Sequence, residues 1–356
     1  MSTIDIAGQR LFHQQLLQTS FKQPHEVVSW FGAMQSQEYA NSKWGIGVRL
    51  PGSTDADIEK AISNKSIVRT SALRGTLHLM AAEDIRWILT LIQPNVMTRM
   101  RSIERKLGMD DHLFDKTNQL IKKALEGGQQ LIRKELIALM QEKGINTEEN
   151  RMNHILYRAS LTGIICNGPL RGKQHTHTLL DEWLPVSKQL SREQSLSTLA
   201  QRYFTSHGPA TVADFALWSG LSVTDARAGL EMVKKSLVSH RINEAEYWTA
   251  PGKVNVPDDT AFLLPAFDEY FIAYKDRSDV IDMAHANKVM TINGIFNPVM
   301  VINGQVVGTW KRTFKKDTVT IETAPFKPLK KAQQKALEAA GLQYAQFLDL
   351  KLAGFH

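Results

Sequence analysis

Apolar residues recur every three or four positions over residues 6–17 and again over 25–34, the spacing that lines one side of a helix, and Pro24 stands where the second helix can open. Residues 55–63 give a third helix through Ile58, Ala61 and Ile62, after which 67–80 turns to extended, β-rich sequence around Arg74-Gly75. Three helices followed by a hairpin is the order of a winged helix. A basic helical connector over 99–107 leads to a second round. It has helices over 113–125, 131–140 and 148–161, then two strands within 164–180 about Gly168-Pro169-Leu170-Arg171-Gly172, a turn that would be the wing. A third round is marked by Thr211-x-x-Asp214 and Ser222-x-x-Asp225, acidic forms of the capping box, with Gly220 between them and a hairpin over 237–249. Beyond Pro257 short β segments follow at 261–264, 289–292, 299–302, 306–312 and 319–323, closed by an amphipathic helix over 330–348. The pattern therefore predicts an α+β chain of three tandem winged-helix units and a C-terminal β-barrel-like domain. The divisions fall at 1–108, 109–188, 189–256 and 257–356.

Charge narrows the partner. The 356 residues hold 43 Lys and Arg against 36 acidic residues, a formal charge of +7 that favours a polyanion such as nucleic acid. A single cysteine, Cys166, excludes an internal disulfide framework and a multi-cysteine zinc site, and it reads as a small core residue. No run of eighteen apolar residues occurs, and the first residues lack the pattern of a signal peptide. These features point to a soluble cytoplasmic protein with no membrane partner.

The segment Met34-Gln35-Ser36-Gln37 puts two primary amides among aromatic and aliphatic residues. If enclosed, each amide needs partners from protein, water or ligand. Residues two apart share a face only in extended chain, so both amides serve one pocket only if the preceding helix ends near Met34 or Gln35. Alone, such a pair is more often a helix-end cap or a solvated feature. Other candidates are basic. Arg151, His154 and Arg158 share one helix side and suit phosphate contact, Arg74 and His78 sit on a hairpin, and Arg171 and His175 belong to the expected wing. Arg227 stands on the outer side of the third unit's second helix, and Lys311 and Arg312 lie in a basic segment interleaved with Trp310 and Phe314. His175 and His177 lack further ligands nearby in sequence, so no metal site is expected.

Four spaced blocks carry a resemblance: Met34-Gln35-Ser36-Gln37; Leu73-Arg74-Gly75-Thr76-Leu77-His78-Leu79; Leu264-Pro265-Ala266-Phe267-Asp268-Glu269-Tyr270 through Asp276-Arg277; and Val307-Gly308-Thr309-Trp310-Lys311-Arg312. Together they resemble the AlkZ/YcaQ-like bacterial DNA glycosylases, on the AlkZ-like branch because both ends of the tripeptide are glutamine. Ser36 stands where that family's motif has an aliphatic residue. The resemblance implies a monofunctional glycosylase that hydrolyses the N-glycosidic bond of N7-alkylated purines in double-stranded DNA, without a cofactor, as a nucleoid-associated monomer. It implies Gln35 and Gln37 as the catalytic pair. Apart from the resemblance, Asp268 or Glu269 would supply the negative charge that two glutamines lack if the β-rich domain folds over the first winged-helix unit. Bulky adducts and interstrand crosslinks stay open as substrates. So does the choice between a flipped base in a slot lined by Trp30, Tyr39 and Trp44 and an open surface, which the resemblance favours. The alternative function is a winged-helix transcriptional regulator without catalysis.

Overall fold

The computed structural model describes residues 4–187, 189–242, 244–252 and 254–356, so the division expected at 188 falls on a residue outside them. Asp5 caps α1 (Ile6–His13) by accepting the Gly8 N–H, and proline opens α2 (Pro24–Phe31), which Gly32 ends at φ 82°. The chain is extended from β1 (Met34–Gln35), then forms α3 (Tyr39–Gly47), α4 (Asp55–Ser63), β2 (Ile67–Ser71) and β3 (Leu77–Ala81). The strands pair in the order β1-β3-β2, with Gln35 opposite His78. Apolar periodicity does not mark α3, because it is buried on nearly every side from Asn41 to Gly47 and carries no stripe.

The basic connector is the second half of one 22-residue helix, α5 (Ile85–Lys106), with Pro94 inside it. Next come α6 (Asp111–Leu125), β4 (Leu131–Ile132), α7 (Arg133–Glu142), α8 (Arg151–Leu161), β5 (Ile165–Arg171) and β6 (Gln174–Leu179), paired β4-β6-β5 as in the first sheet. The tip of this hairpin lies at Gly172 and Lys173, while the Gly168-Pro169 stretch is a register shift inside β5. After α9 (Leu180–Trp183) and α10 (Arg192–Ser206), α11 (Val212–Ser219) and α12 (Val223–Val233) start on the Thr211 and Ser222 caps that the spacing predicts. The hairpin of β7 (Val238–Ile242) and β8 (Ala245–Thr249) follows, with Ala210 bridged to Trp248. Helix, short strand or bridge, two helices and a hairpin thus recur along the chain.

The last part contains β9 (Ala261–Leu264), α13 (Glu269–Ile272), α14 (Ala286–Val289), β10 (Val299–Ile302), β11 (Gln305–Lys315), β12 (Thr318–Pro325), α15 (Lys331–Phe347) and β13 (Lys351–Phe355). Its sheet is an open, curled half-barrel in the order β13-β12-β11-β10-β9. The segment expected as a strand over 289–292 instead ends α14 and makes one bridge, Met290 to Phe296. No described helix is long and apolar enough to cross a membrane.

Among the described residues, only the second round of elements, with Phe114, Ile121, Met152 and Ile155, has a core of its own. Leu11, Phe31 and Trp44 share one with Leu263, Trp310 and Tyr344 of the C-terminal sheet and helix, and Met80 and Trp87 share another with Tyr203 and Trp218. Cys166 is buried in the latter, its thiol pushed up to about 12 by burial. Across the first of these seams Arg49 and Asp268, both buried, make two hydrogen bonds of 2.8 Å, and Arg49 also donates to the Gly45 and Gln14 carbonyls. Removing one partner of such a pair leaves a charge uncompensated. Arg49→Met should therefore lower the unfolding free energy by about 3–5 kcal/mol in urea titrations, and the double variant Arg49→Met/Asp268→Leu should recover a large part of it.

Candidate functional site

Because α2 ends at Phe31, the chain from Met34 onward is extended, and the Ser36 N–H continues the ladder to the Leu77 carbonyl at 2.7 Å. Ser36 points inward and is wholly buried, so Gln35 and Gln37 share the opposite side, half-buried and exposed respectively. The polar residue at the motif's centre is satisfied rather than stranded. Its hydroxyl meets that of Ser42 at 2.8 Å, and Arg69 donates to its carbonyl and hydroxyl at 2.9 and 3.1 Å. Arg69, the one charged residue of β2, is a site residue that pattern reading overlooks. Its position in Ile67-Val68-Arg69 was the available signal.

Gln35 is held at two ends. Its backbone N–H donates to Glu269 Oε1 at 2.8 Å, and its side-chain oxygen accepts from Arg74 Nη2 at 2.6 Å. Arg74, at φ 53° in the tight turn between β2 and β3, also donates to the Trp218 carbonyl at the end of α11. Glu269 is buried and takes the Trp218 indole N–H at 2.9 Å and His207 Nε2–H at 3.4 Å. Burial alone would raise the Glu269 carboxyl, but His207, the Gln35 N–H and the charge of Arg74 outweigh it and hold the group below its ordinary value. The expected negative charge is thus beside the motif, but as a fixed anion under Gln35. Asp268, committed to Arg49 and to the Tyr270 N–H, braces the fold.

A cleft of about 580 Å³ opens beside Gln37, lined among others by Arg69, Tyr157, Asn167, His175 and His177. It joins the first round of elements to the second. Tyr39 stands at this side, edge-on to His175 with ring centres 4.6 Å apart. The slot expected from Trp30 and Trp44 does not form. Trp44 packs in the core against Tyr344 and Phe347, and Trp30 spends its indole N–H on the His13 carbonyl.

Several basic candidates turn inward. The side of α8 expected to meet phosphate packs on α5: Arg158 pairs with buried Glu104 at 3.0 and 2.7 Å, His154 is buried beside it, and Arg151 donates to the Leu107 and Asn146 carbonyls. The reason is that Glu104 needs a cation once enclosed. Arg74 likewise serves Gln35 rather than the surface, and His78, wholly buried, donates Nδ1–H to the Thr76 carbonyl at 2.8 Å. Exposed are Arg171, bonded to Glu135 at 2.7 Å, Arg227 on α12 and Lys311 on β11. Arg312 is half-buried, tied to Asn41 at 2.7 Å. Among the described residues no cluster of three or more His, Cys, Asp or Glu is placed to hold a metal.

Burial draws His78, His175 and His177 from 6.5 to about 4, with Arg74 adding to the effect at His78 and Arg69 at His175. These rings are neutral near pH 7, and His175 at the cleft is a neutral partner, not a cation. In the unfolded chain they take up protons near pH 6.5, so between 6.5 and about 4 the unfolded state binds more protons and stability is lost as pH falls. Urea unfolding should show a lower free energy at about pH 5 than at about pH 7, with a smaller drop in the His175→Gln/His177→Gln variant. Imidazole NMR signals of the folded protein should stay put for these rings across that interval.

A family model described as DNA glycosylase AlkZ-like matches residues 28–347. The chain is 23% identical over 337 residues to the interstrand DNA cross-link repair glycosylase of Streptomyces sahachiroi, covering 89% of this chain and 91% of that protein. The solved structure of Streptomyces sahachiroi DNA glycosylase AlkZ has the same fold, with a TM-score of 0.82 at 21% identity over 99% of this chain and 100% of that one. With a family model spanning both the glutamine segment and the carboxylates that brace it, the chain belongs to the AlkZ-like family of DNA glycosylases.

Proposed function

We propose that this protein is a monofunctional DNA glycosylase that hydrolyses the N-glycosidic bond of N7-alkylated purines in duplex DNA. The relative from Streptomyces sahachiroi is named for interstrand cross-link repair, and we extend that substrate class to this chain. The observation that carries the reading is the geometry of the glutamines. One amide is clamped and the other free, both on one side of an extended segment, and Gln37 lines a cleft with Arg69 in its wall. N7 alkylation makes the base cationic, so it departs without protonation, and what the protein must supply is a positioned water and compensation of developing charge. Glutamine has no titratable proton near neutrality, but the exposed Gln37 carbonyl can accept from a water and hold it near the anomeric carbon. A bifunctional enzyme would need an amine nucleophile, and Lys43, near the motif, is instead committed to Asp55 and Glu59 at 2.7 and 3.1 Å.

The recurring order of helices and hairpins supports reading 1–108, 109–188 and 189–256 as winged-helix units and 257–356 as a β-barrel-like domain. We assign backbone contact to Arg171, Arg227, Lys311 and Arg312, which leaves Arg151, His154 and Arg158 with a structural task. The reading includes a monomer acting on nucleoid DNA.

Single-turnover release of 7-methylguanine from a duplex tests the chemistry. Gln37→Ala and Gln35→Ala should each bind the duplex normally and excise about 10²-fold more slowly, since one lost oriented polar group costs about that much. Gln37→Glu, which keeps the acceptor, should retain activity. Wild-type protein that binds every duplex and releases no base would instead make it a non-catalytic regulator. Separately, Arg227→Ala and Lys311→Ala should weaken binding to all duplexes alike and lower the salt slope by about one each.

A further inference from the structure

The two amides do not have the same task, and the surroundings of Gln35 tell them apart. This inference rests on the glycosylase reading above. Arg74 carries only donors, so its 2.6 Å contact requires the Gln35 oxygen to be the inward atom, whichever way the amide is drawn. The –NH2 therefore faces away from Arg74. It donates to no acceptor among the described residues and is not one of the enclosed unpaired atoms, so it keeps access to solvent, on a residue that alternation sets on the same side as exposed Gln37. The inward half is rigidly held. The Gln35 N–H is anchored on Glu269, Glu269 on the Trp218 indole, and the Trp218 carbonyl on Arg74, which closes a ring of contacts among β1, the β2–β3 turn, α11 and α13.

Charge decides what a donor there can serve. When the C1′–N9 bond breaks heterolytically, its electron pair goes to the purine and the sugar becomes positive. An N–H beside the sugar would oppose that cation, while an N–H at purine N3, an acceptor on the minor-groove edge, meets the electron density that arrives. The Arg74 cation behind the amide polarises it in the same sense. We infer that Arg74 and Glu269 are positioning residues that present Gln35 as a hydrogen-bond donor to N3 of the departing purine, leaving Gln37 as the acceptor for the attacking water. The water oxygen bonds to C1′, its proton passes to solvent, and the formerly cationic base leaves neutral.

Gln35→Glu is the deciding variant, because it keeps the size and gives Arg74 a stronger acceptor but has no donor. Single-turnover excision is measured on a duplex carrying 7-methylguanine and on the same duplex carrying 3-deaza-7-methylguanine. Each rate is divided by that duplex's spontaneous depurination, with binding checked in parallel. On the first substrate Gln35→Glu should lose about 10²-fold in rate with binding unchanged. On the 3-deaza substrate wild type should already have lost about as much, and the variant should lose nothing more. Arg74→Met should slow excision while sparing binding, and Arg74→Lys, which can still donate to the amide oxygen, should recover part of the rate. Wild-type rates in Gln35→Glu, or an equal loss on both substrates, would overturn the donor assignment, and a wild-type rate in a folded Arg74→Met would overturn the positioning role. Should Arg74→Met fail to fold, Gln35→Glu and the 3-deaza duplex still decide. Wild type that excises neither base removes the glycosylase reading itself, a result distinct from an active wild type with an equally active Gln35→Glu.

Discussion

Two adjacent buried carboxylates at the start of a one-turn helix hold the molecule's parts in register. A buried carboxylate is costly unless its oxygens are met by donors, so each one dictates what must come to it. Asp268 draws Arg49 from just beyond α3 and, through Arg49, the end of α1 at Gln14. Glu269 draws the Gln35 N–H, the Trp218 indole and His207. One dipeptide near residue 270 thereby fixes the glutamine segment near residue 35 against helices near 210. The shared apolar cores follow the same seams, which is why the first and third rounds of elements do not enclose cores of their own.

The same constraint makes the two glutamines unequal. Gln35 lies between a cation at its side-chain oxygen and an anion at its backbone N–H, so its amide has one available orientation. Gln37, two residues on, is exposed, and no side-chain bond is made to it among the described residues. Rigid on one side and adaptable on the other suits the proposed chemistry, in which one group is aimed and the other accommodates a mobile water. Ser36 between them replaces an aliphatic plug by a polar one, and the cost is offset because Arg69 and Ser42 satisfy it. Arg69 then faces the cleft wall, where burial pulls its guanidinium down to about 10, still cationic near neutral pH. The cleft is therefore positive on account of arginine, with the neighbouring histidines neutral.

The basic residues illustrate how little charge alone says about a surface. Arg151, His154 and Arg158 share a helix side by spacing, and spacing is correct, but that side meets Glu104 on α5 instead of solvent. Arg74 and His78 sit on a hairpin as read, yet Arg74 is spent on Gln35 and the Trp218 carbonyl, and the His78 ring is wholly buried, with Nδ1 on the Thr76 carbonyl. In each case a group counted toward a polyanion partner is committed to contacts within the protein. The long-range field rests on the positions left uncovered, such as Lys311 and Arg227.

By itself the sequence determined the local elements wherever a signal was local: apolar spacing in α4, α6 and α15, the Thr211 and Ser222 caps, and the alternation that sets Gln35 and Gln37 on one side once the chain extends. It left out α3, because a helix buried all round has no stripe to reveal it, and its β-barrel-like reading did not specify how far the sheet closes, because edge pairing leaves no mark in composition. Only the tertiary structure decided which charges are inside. Glu104 and Arg158 are 54 residues apart, Gln35 and Glu269 are 234 apart, and Arg49 and Asp268 are 219 apart. Periodicity describes which side of an element a residue occupies, whereas the partner on that side is set by packing between distant segments. The chemistry proposed for this site depends on those partners, since they decide that one glutamine is clamped and the other is free.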